Sequence, residues 1–225
     1  MENMKAKPMI KLPQYSKMED AWNKYTHFVG AIIGVVALVA MLVISVINTV
    51  ENSKYFVDII SAILFGGALT MLYGMSTMYH GEKNLEKRII RQKFDHLSIN
   101  ILIAGSASAI LISGLRNTLG YCLIAGIWAL SILSMVLNSV NVKKFRAVTM
   151  IIYILTGWSP IFIANILVQQ LGWTTFGLIL GGGLAYTFGL IFYAIKKPYM
   201  HVVWHFFVLT GSLFHIVAVI FGIML

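Results

Sequence analysis

The sequence is short of charged residues and of cysteine. Charged residues make up 11% of its 225 residues, whereas hydrophobic residues make up 59%, a balance that water-soluble globules of this size do not normally show. The single cysteine, Cys122, excludes an internal disulfide and any metal site built from several thiolates. Acidic residues are also scarce, eight against 17 lysines and arginines. Most of the chain is therefore expected to lie in a lipid bilayer.

Apolar stretches of about 20 residues, long enough to cross a bilayer, recur along the chain and leave no length for a soluble domain. The pattern predicts an all-α integral membrane protein, a bundle of seven transmembrane helices. Residues 1–15 are predicted to form a disordered cytoplasmic tail, and residues 16–225 a single membrane domain. The expected spans are approximately 28–47, 56–79, 97–115, 121–137, 147–168, 176–195 and 202–225.

Lysines and arginines are distributed unequally between alternate connections of this bundle. One side of the membrane receives 15 of the 17, and the other receives only Lys54 and Arg116. The positive-inside rule places the N-terminus in the cytoplasm and the C-terminus outside, in the plasma membrane. Because the positive charge sorts by side rather than forming one patch, it indicates membrane lipids as partners and argues against nucleic acid.

Two local signals refine the helices. Ser16 and Glu19 fit a capping box, in which each side chain accepts a hydrogen bond from the backbone N–H of the other residue. A helix is therefore expected to begin at Ser16 and to lead into the first span. Pro160 lies within the fifth predicted span and is expected to kink it.

Five of the six histidines fall near the predicted cytoplasmic surface, although they are spread over the whole chain. His201 and His205 are four residues apart, so their rings project from one face of a helix and can share a metal ion. Ser76 and His80 repeat that spacing. Three protein ligands and a position for water make an open zinc site, so His80, His201 and His205 are predicted to bind one Zn²⁺ per chain. Hydrogen-bonded packing is the alternative for each histidine taken alone.

Asp95, at the start of the third span, and Ser76 are the candidate catalytic residues. Asp95 suits a general base that acts on a water molecule, or a group that orients a ligating histidine. Its alternative role is a carboxylate favoured by the helix dipole. His215 lies too deep to share the ion, and a packing or hydrogen-bonding role is expected for it.

Taken together, the motifs resemble the bacterial hemolysin III family, which belongs to the progestin and adiponectin Q receptor group and is related to the alkaline ceramidase superfamily. The resemblance covers essentially the whole chain. The matching residues are Glu19, Asn23, Thr26, His27 and Gly30; Ser76, Tyr79 and His80; Asp95 and His96; Gly182, Gly183 and Leu184; Phe192 and Tyr193; and His201, Trp204, His205 and His215.

The resemblance implies a seven-helix bundle with zinc near the cytoplasmic face, held by the three histidines, with the family's serine and aspartate at Ser76 and Asp95. Asn100 and the run 107–109 depart from the tyrosine and threonine-proline signature typical of the family. Supporting or structural roles are predicted for Glu19, Asn23, His27 and His96.

Three functions are compatible with these features. The leading hypothesis is a zinc-dependent intramembrane hydrolase of a lipid amide or ester, in which the metal polarises the scissile carbonyl. Asp95 would take a proton, and Ser76 would hydrogen-bond the water or the oxyanion. A zinc-stabilised receptor or membrane-lipid homeostasis sensor without catalysis is the alternative. A cytolysin (hemolysin) is the third hypothesis. The retained spans and the lack of a secretion signal argue against it.

Overall fold

The structure is a computed structural model that describes residues 12–51 and 56–225, with the backbone alone at residues 142 and 143. The regular structure in these residues is helical, which confirms the predicted all-α class. The helices are α1 (Lys17–Glu51), α2 (Phe56–Gly81), α3 (Leu85–Ser108), α4 (Thr118–Gly157), α5 (Ala164–Ala194) and α6 (Met200–Val219). Most of the predicted disordered tail, residues 1–11, lies outside the described residues, and that prediction stays untested.

Three short helical segments complete the described architecture. One π-helical segment, Ala109–Ser113, continues α3, and another, Ile220–Met224, continues α6. A 3₁₀ segment, Ser159–Ile163, joins α4 to α5 and contains the buried Pro160. The α-helical structure is therefore interrupted at Pro160, where the sequence predicted a kink.

Six stretches of the described helices are long and apolar enough to cross a membrane. Helix α4 contains a break at Asn141, where the backbone is extended. Beyond this break, the stretch Lys144–Ala194 runs for 51 residues. It includes the predicted fifth and sixth spans, which is why six candidate stretches stand against the seven predicted spans. A second break lies inside it at Gly172, whose φ is +78°.

Glycines allow α1 and α2 to approach each other closely. A Cβ atom on Gly66 would lie 2.6 Å from Leu38 Cα, and one on Gly34 would lie 2.9 Å from the backbone nitrogen of Thr70. Small residues at such positions are typical of helices that pack within a membrane. The close packing brings the beginning of α1 beside the end of α2, where the predicted site lies.

Polar residues are buried at the other end of α2 as well. Asp58 is fully buried and accepts a hydrogen bond of 2.8 Å from Arg116, in the connection between α3 and α4. In contrast, the outward face of α1 is apolar and exposed, with Val36, Val39 and Val43 each more than half exposed. An exposed apolar surface of this kind suits contact with lipid chains.

Replacement of Gly66 by alanine is expected to destabilise the protein. The new methyl group would have to displace the backbone of α1 at Leu38, and overpacking of this kind costs about 1–3 kcal/mol. Gly67→Ala is the matched control, because a Cβ on Gly67 meets nothing within 4 Å and alanine favours a helix by about 1 kcal/mol over glycine. Thermal unfolding followed by circular dichroism in one detergent compares the variants. Equal transition temperatures would contradict the close contact.

Candidate metal centre

Three histidines from two helices meet at one end of the bundle. His80 lies in the last turn of α2, and His201 and His205 lie at the beginning of α6. One ring nitrogen from each lies within 4.8 Å of those of the other two. The Nε2 atoms of His201 and His205 are 3.2 Å apart. The structure thus brings the predicted trio together.

The carboxylate of Asp20 determines where the proton on His80 lies. Asp20 Oδ1 is 3.0 Å from His80 Nδ1, and since an ionised carboxylate only accepts hydrogen bonds, Nδ1 carries the proton. Nε2 of a neutral His80 is then a bare lone pair, and it is buried without a hydrogen-bond partner. Arg88 donates to both carboxylate oxygens of Asp20, at 2.8 and 2.7 Å, which holds the carboxylate in place.

Thr26 fixes the second ring in the same way. Its hydroxyl donates to the backbone carbonyl of Trp22 at 2.8 Å. The same oxygen lies 3.1 Å from His205 Nδ1, and it accepts there because its own proton is already used. His205 Nε2 is therefore also a lone pair, directed toward the other two histidines.

This arrangement fits a metal ion. A hydrogen bond from His201 can satisfy His205 Nε2, but His80 Nε2 stays buried and unpaired, at a cost in free energy. Ligands about 2.0–2.1 Å from a tetrahedral zinc ion are separated by about 3.3 Å, close to the 3.2 Å between the two nitrogens on α6. Neutral imidazole nitrogens suit zinc and other divalent transition metals. The trio can hold such an ion.

Aromatic rings cover the histidines. His27 stacks on His205 with ring centroids 3.5 Å apart and an interplanar angle of 11°. From the segment before α1, Tyr15 packs against His201 and His80, with centroid distances of 5.2 and 5.5 Å. Burial, more than the neighbouring ionisable side chains, raises the pKa of the Tyr15 hydroxyl. It is therefore neutral at physiological pH and adds no charge beside the site.

Glu19 supports the site from a distance. Its Oε2 accepts a hydrogen bond from the Ser16 N–H at 2.9 Å, and the Ser16 hydroxyl accepts one from the Glu19 N–H at 3.1 Å, which confirms the capping box. Glu19 Oε1 accepts a further bond of 2.8 Å from the N–H of Tyr199, immediately before α6. It therefore links the start of α1 to the start of α6.

The other predicted supporting residues are placed differently. Asn23 is fully buried, and neither atom of its amide group has a hydrogen-bond partner. His96 follows Asp95 on α3 and lines the same cavity as His201 and His205. Their roles stay predictions.

The predicted catalytic pair also faces that cavity. Ser76 lies on α2 and Asp95 on α3. Both line a cavity of about 150 Å³, whose wall includes His201 and His205. Away from these residues the wall is mainly apolar, with Leu72, Leu102, Ile103, Ile110, Phe176, Ile179, Leu180 and Val208.

The positions at which the chain departs from the family signature lie on or near another part of the wall. Ala107 lines the cavity. Asn100 donates to the Tyr153 hydroxyl at 3.2 Å, and Asn138 donates to the same oxygen at 3.1 Å. These bonds hold Tyr153 against α3, so a phenol reaches the cavity wall from α4.

Sequence reasoning missed Asp20, Arg88 and the role of Thr26 as an acceptor for His205. A signal for Asp20 was present, because Asp20, Asn23 and His27 are spaced three and four residues apart. Residues at that spacing lie on one face of a helix. A polar stripe at the start of an otherwise apolar span points to a buried partner.

Comparison with known proteins agrees with the motifs. The sequence profile "Haemolysin-III related" matches residues 15–216. The "Hemolysin-3 homolog" of Bacillus subtilis (strain 168) is 33% identical over 195 residues, which cover 86% of this chain and 89% of the relative. The "Hemolysin-3" of Bacillus cereus is 31% identical over 217 residues, 96% of each chain. The "Monocyte to macrophage differentiation factor" of Homo sapiens is 26% identical over 211 residues, 89% of this chain and 83% of the relative.

Replacement of Asp20 by asparagine is expected to weaken zinc binding by about 10–100-fold, as loss of a carboxylate that orients a ligating histidine typically does. The asparagine amide can donate to His80 Nδ1 and so favour the tautomer whose Nε2 carries a proton. Competition with a chromophoric chelator measures the affinity of the detergent-purified protein for zinc.

Two further variants serve as the negative and the neutral control for that measurement. His80→Ala removes a predicted ligand and should abolish binding at the same zinc concentration. Glu82→Gln should bind zinc like the wild type, because Glu82 pairs with Arg91 at 3.0 Å and is not part of the histidine cluster. Wild-type affinity in Asp20→Asn would refute the orienting role, and zinc retained by His80→Ala would refute the metal centre.

Proposed function

The chain belongs to the Haemolysin-III related family, and on that premise we propose that it is a multi-pass membrane protein that hydrolyses an amide or ester bond of a lipid. In this proposal His80, His201 and His205 hold a zinc ion, one per chain. The supporting observation is a single cavity that is lined by His201, His205, Ser76 and Asp95 and whose remaining wall is largely apolar.

The cavity suits one acyl chain with its polar group at the histidine end. Ligand sites of this kind are typically apolar with a few convergent polar groups. The α5 backbone packs on α6 but hardly approaches α4, and exposed Gly157 and Thr187, on these two helices, line the cavity. A lipid would enter from the bilayer between α4 and α5, where Trp158 donates to Thr187 at 3.1 Å.

The chemistry divides between the ion and the protein. A zinc ion at this site would supply Lewis acidity, which polarises a carbonyl oxygen and lowers the pKa of water. Asp95 accepts a proton from the attacking water and delivers it to the leaving group. Ser76, which lines the same cavity as Asp95, would hydrogen-bond the water or the oxyanion, and the apolar wall keeps the acyl chain away from bulk water.

We also propose seven spans rather than six. At about 1.5 Å per residue, 51 helical residues would extend about 75 Å, more than twice the hydrocarbon core of about 30 Å. The breaks at the 3₁₀ segment and at Gly172 allow Lys144–Ala194 to cross twice. The positive-inside rule then puts the N-terminus and the metal centre on the cytoplasmic side of the plasma membrane. Labelling of Lys83 by a membrane-impermeant reagent in intact cells would show that the orientation is the opposite one.

A receptor or sensor without catalysis is the second candidate. The observation that favours it is that the three histidines come from α2 and α6. An ion held between two helices can stabilise one conformation of a bundle without any turnover. A cytolysin remains the third candidate, and its basis is the name of the Bacillus cereus relative, "Hemolysin-3".

Asp95→Asn is expected to lower lipid hydrolysis by about 10²–10⁴-fold, the usual contribution of a general base, while zinc content and thermal unfolding stay unchanged. The probes are N-oleoylethanolamine, an amide, and monooleoylglycerol, an ester. Release of oleic acid from zinc-loaded protein is measured by mass spectrometry.

Glu86→Gln provides the matched control for this experiment, because it removes an exposed carboxylate from the same helix, α3. It should hydrolyse the probes like the wild type. Wild-type turnover in Asp95→Asn would refute the role of Asp95. No release by the zinc-loaded wild type would favour the receptor, whereas dye release from liposomes by protein without the three histidines would favour the cytolysin.

A further inference from the structure

The cavity has a second polar residue far from the metal centre. His215 lies on α6 ten residues beyond His205, which is about 15 Å along a helix axis. Its side chain lines the same cavity, and the residue is only 7% exposed. Between the two histidines the wall is mainly apolar and includes Ile110, Phe176 and Val208.

The backbone of α5 fixes the proton on His215. Its Nε2 atom is 3.1 Å from the carbonyl oxygen of Ile179, and because a carbonyl only accepts, Nε2 carries the proton. A doubly protonated ring would be an unpaired charge in an apolar interior, at a much larger cost. Nδ1 is therefore a lone pair, and it has no hydrogen-bond partner.

The ring has little freedom to turn this lone pair elsewhere. A Cβ atom on Gly182 would overlap Cδ2 and Nε2 of His215, so this edge of the ring packs directly on the α5 backbone. On another side, the Tyr186 ring contacts His215 edge to face, with centroids 5.5 Å apart. The position of Nδ1 is thus fixed by α5 and α6 together.

Nearby hydroxyl groups are already hydrogen-bonded to one another. Tyr73 donates to Ser212 at 2.6 Å, and the Tyr186 hydroxyl lies 2.8 Å from the same Ser212 oxygen. None of these groups is a partner of His215 Nδ1. A trapped water needs two to four polar partners, roughly, and would find few here besides Nδ1.

Among the cavity-lining residues that the structure describes, the buried polar side-chain atoms without a partner belong to His27, which stacks on His205, and to His215. We propose that His215 Nδ1 is a second binding point in the cavity and accepts a hydrogen bond from a hydroxyl group on the chain of the bound lipid. With the polar head at the histidine cluster, a point about 15 Å away meets the middle of an acyl chain. The inference rests on the proposed lipid in the cavity but does not require hydrolysis.

Ricinoleic acid and oleic acid test this proposal, because they have the same length and double bond and differ only by a mid-chain hydroxyl group. Isothermal titration of the zinc-loaded, detergent-purified wild type is expected to show about three- to ten-fold tighter binding of ricinoleic acid, the net effect of one neutral hydrogen bond. His215→Phe keeps a planar ring without an acceptor. It should lose the preference and bind oleic acid like the wild type.

Two more variants separate His215 from its surroundings. Tyr186→Phe removes a hydroxyl group from a ring that contacts His215 and should keep the preference. His215→Gln can donate to the Ile179 carbonyl and still offer an oxygen acceptor, so it should keep part of the preference even if His215→Phe does not fold.

The other possible outcomes of the binding experiment each overturn a different part of the proposal. Equal binding of the two acids to the wild type overturns the hydroxyl subsite and leaves the lipid cavity standing. A preference that survives in folded His215→Phe overturns the assignment to His215. No binding of either acid overturns both the subsite and the proposed lipid occupancy.

Discussion

The proton positions on two buried imidazoles determine what this end of the bundle can bind. Asp20 and Thr26 each accept a hydrogen bond from the Nδ1 atom of a histidine, so the Nε2 lone pairs of His80 and His205 face a common space. Without a cation, the lone pair of His80 is buried without a partner, which is costly in a low-dielectric interior. Both acceptors lie on α1, whereas the histidines lie on α2 and α6. Packing of three helices and metal affinity therefore depend on each other.

The beginning of α1 holds this geometry through adjacent residues with different partners. Glu19 accepts hydrogen bonds from its own capping box and from Tyr199, two residues before His201. Asp20 joins His80 to Arg88. Metal sites tolerate displacements of only about half an ångström. A shift of α1 would thus move candidate ligands on two other helices at once, even though α1 supplies none of the three clustered histidines.

Local sequence spacing predicted the part of the site that lies along single helices. The four-residue separation of His201 and His205 fixes their shared face, and hydropathy places them at the start of a span. Spacing alone did not show whether Glu19 or Asp20 faces His80, because adjacent helical residues differ in direction by about 100°. The capping-box pattern correctly predicted that Glu19 bonds to Ser16, but it gave no sign that the neighbouring Asp20 bonds to His80.

Non-local contacts escaped sequence analysis for a related reason. Asn100 meets Tyr153 across two helices, and no periodicity within α3 indicates that partner. The interruption of Lys144–Ala194, in contrast, was visible in the sequence. A kink was predicted at Pro160, within the Ser159–Ile163 segment, and the gap between the fifth and sixth predicted spans contains the break at Gly172. The contact between Asn100 and Tyr153 is the feature that requires the folded chain.

The shape of the surroundings favours a catalytic ion over a purely structural one. Structural zinc sites are usually closed by four protein ligands, whereas the group that can hold a metal within the described residues has three members. A metal that only joined α2 to α6 would have no need of a cavity that reaches two of its ligands together with Asp95 and Ser76. A hydrolase needs that cavity, because the reacting bond must lie beside both the ion and the base. The apolar remainder of the wall then supports the proposal that the molecule carrying this bond is a lipid.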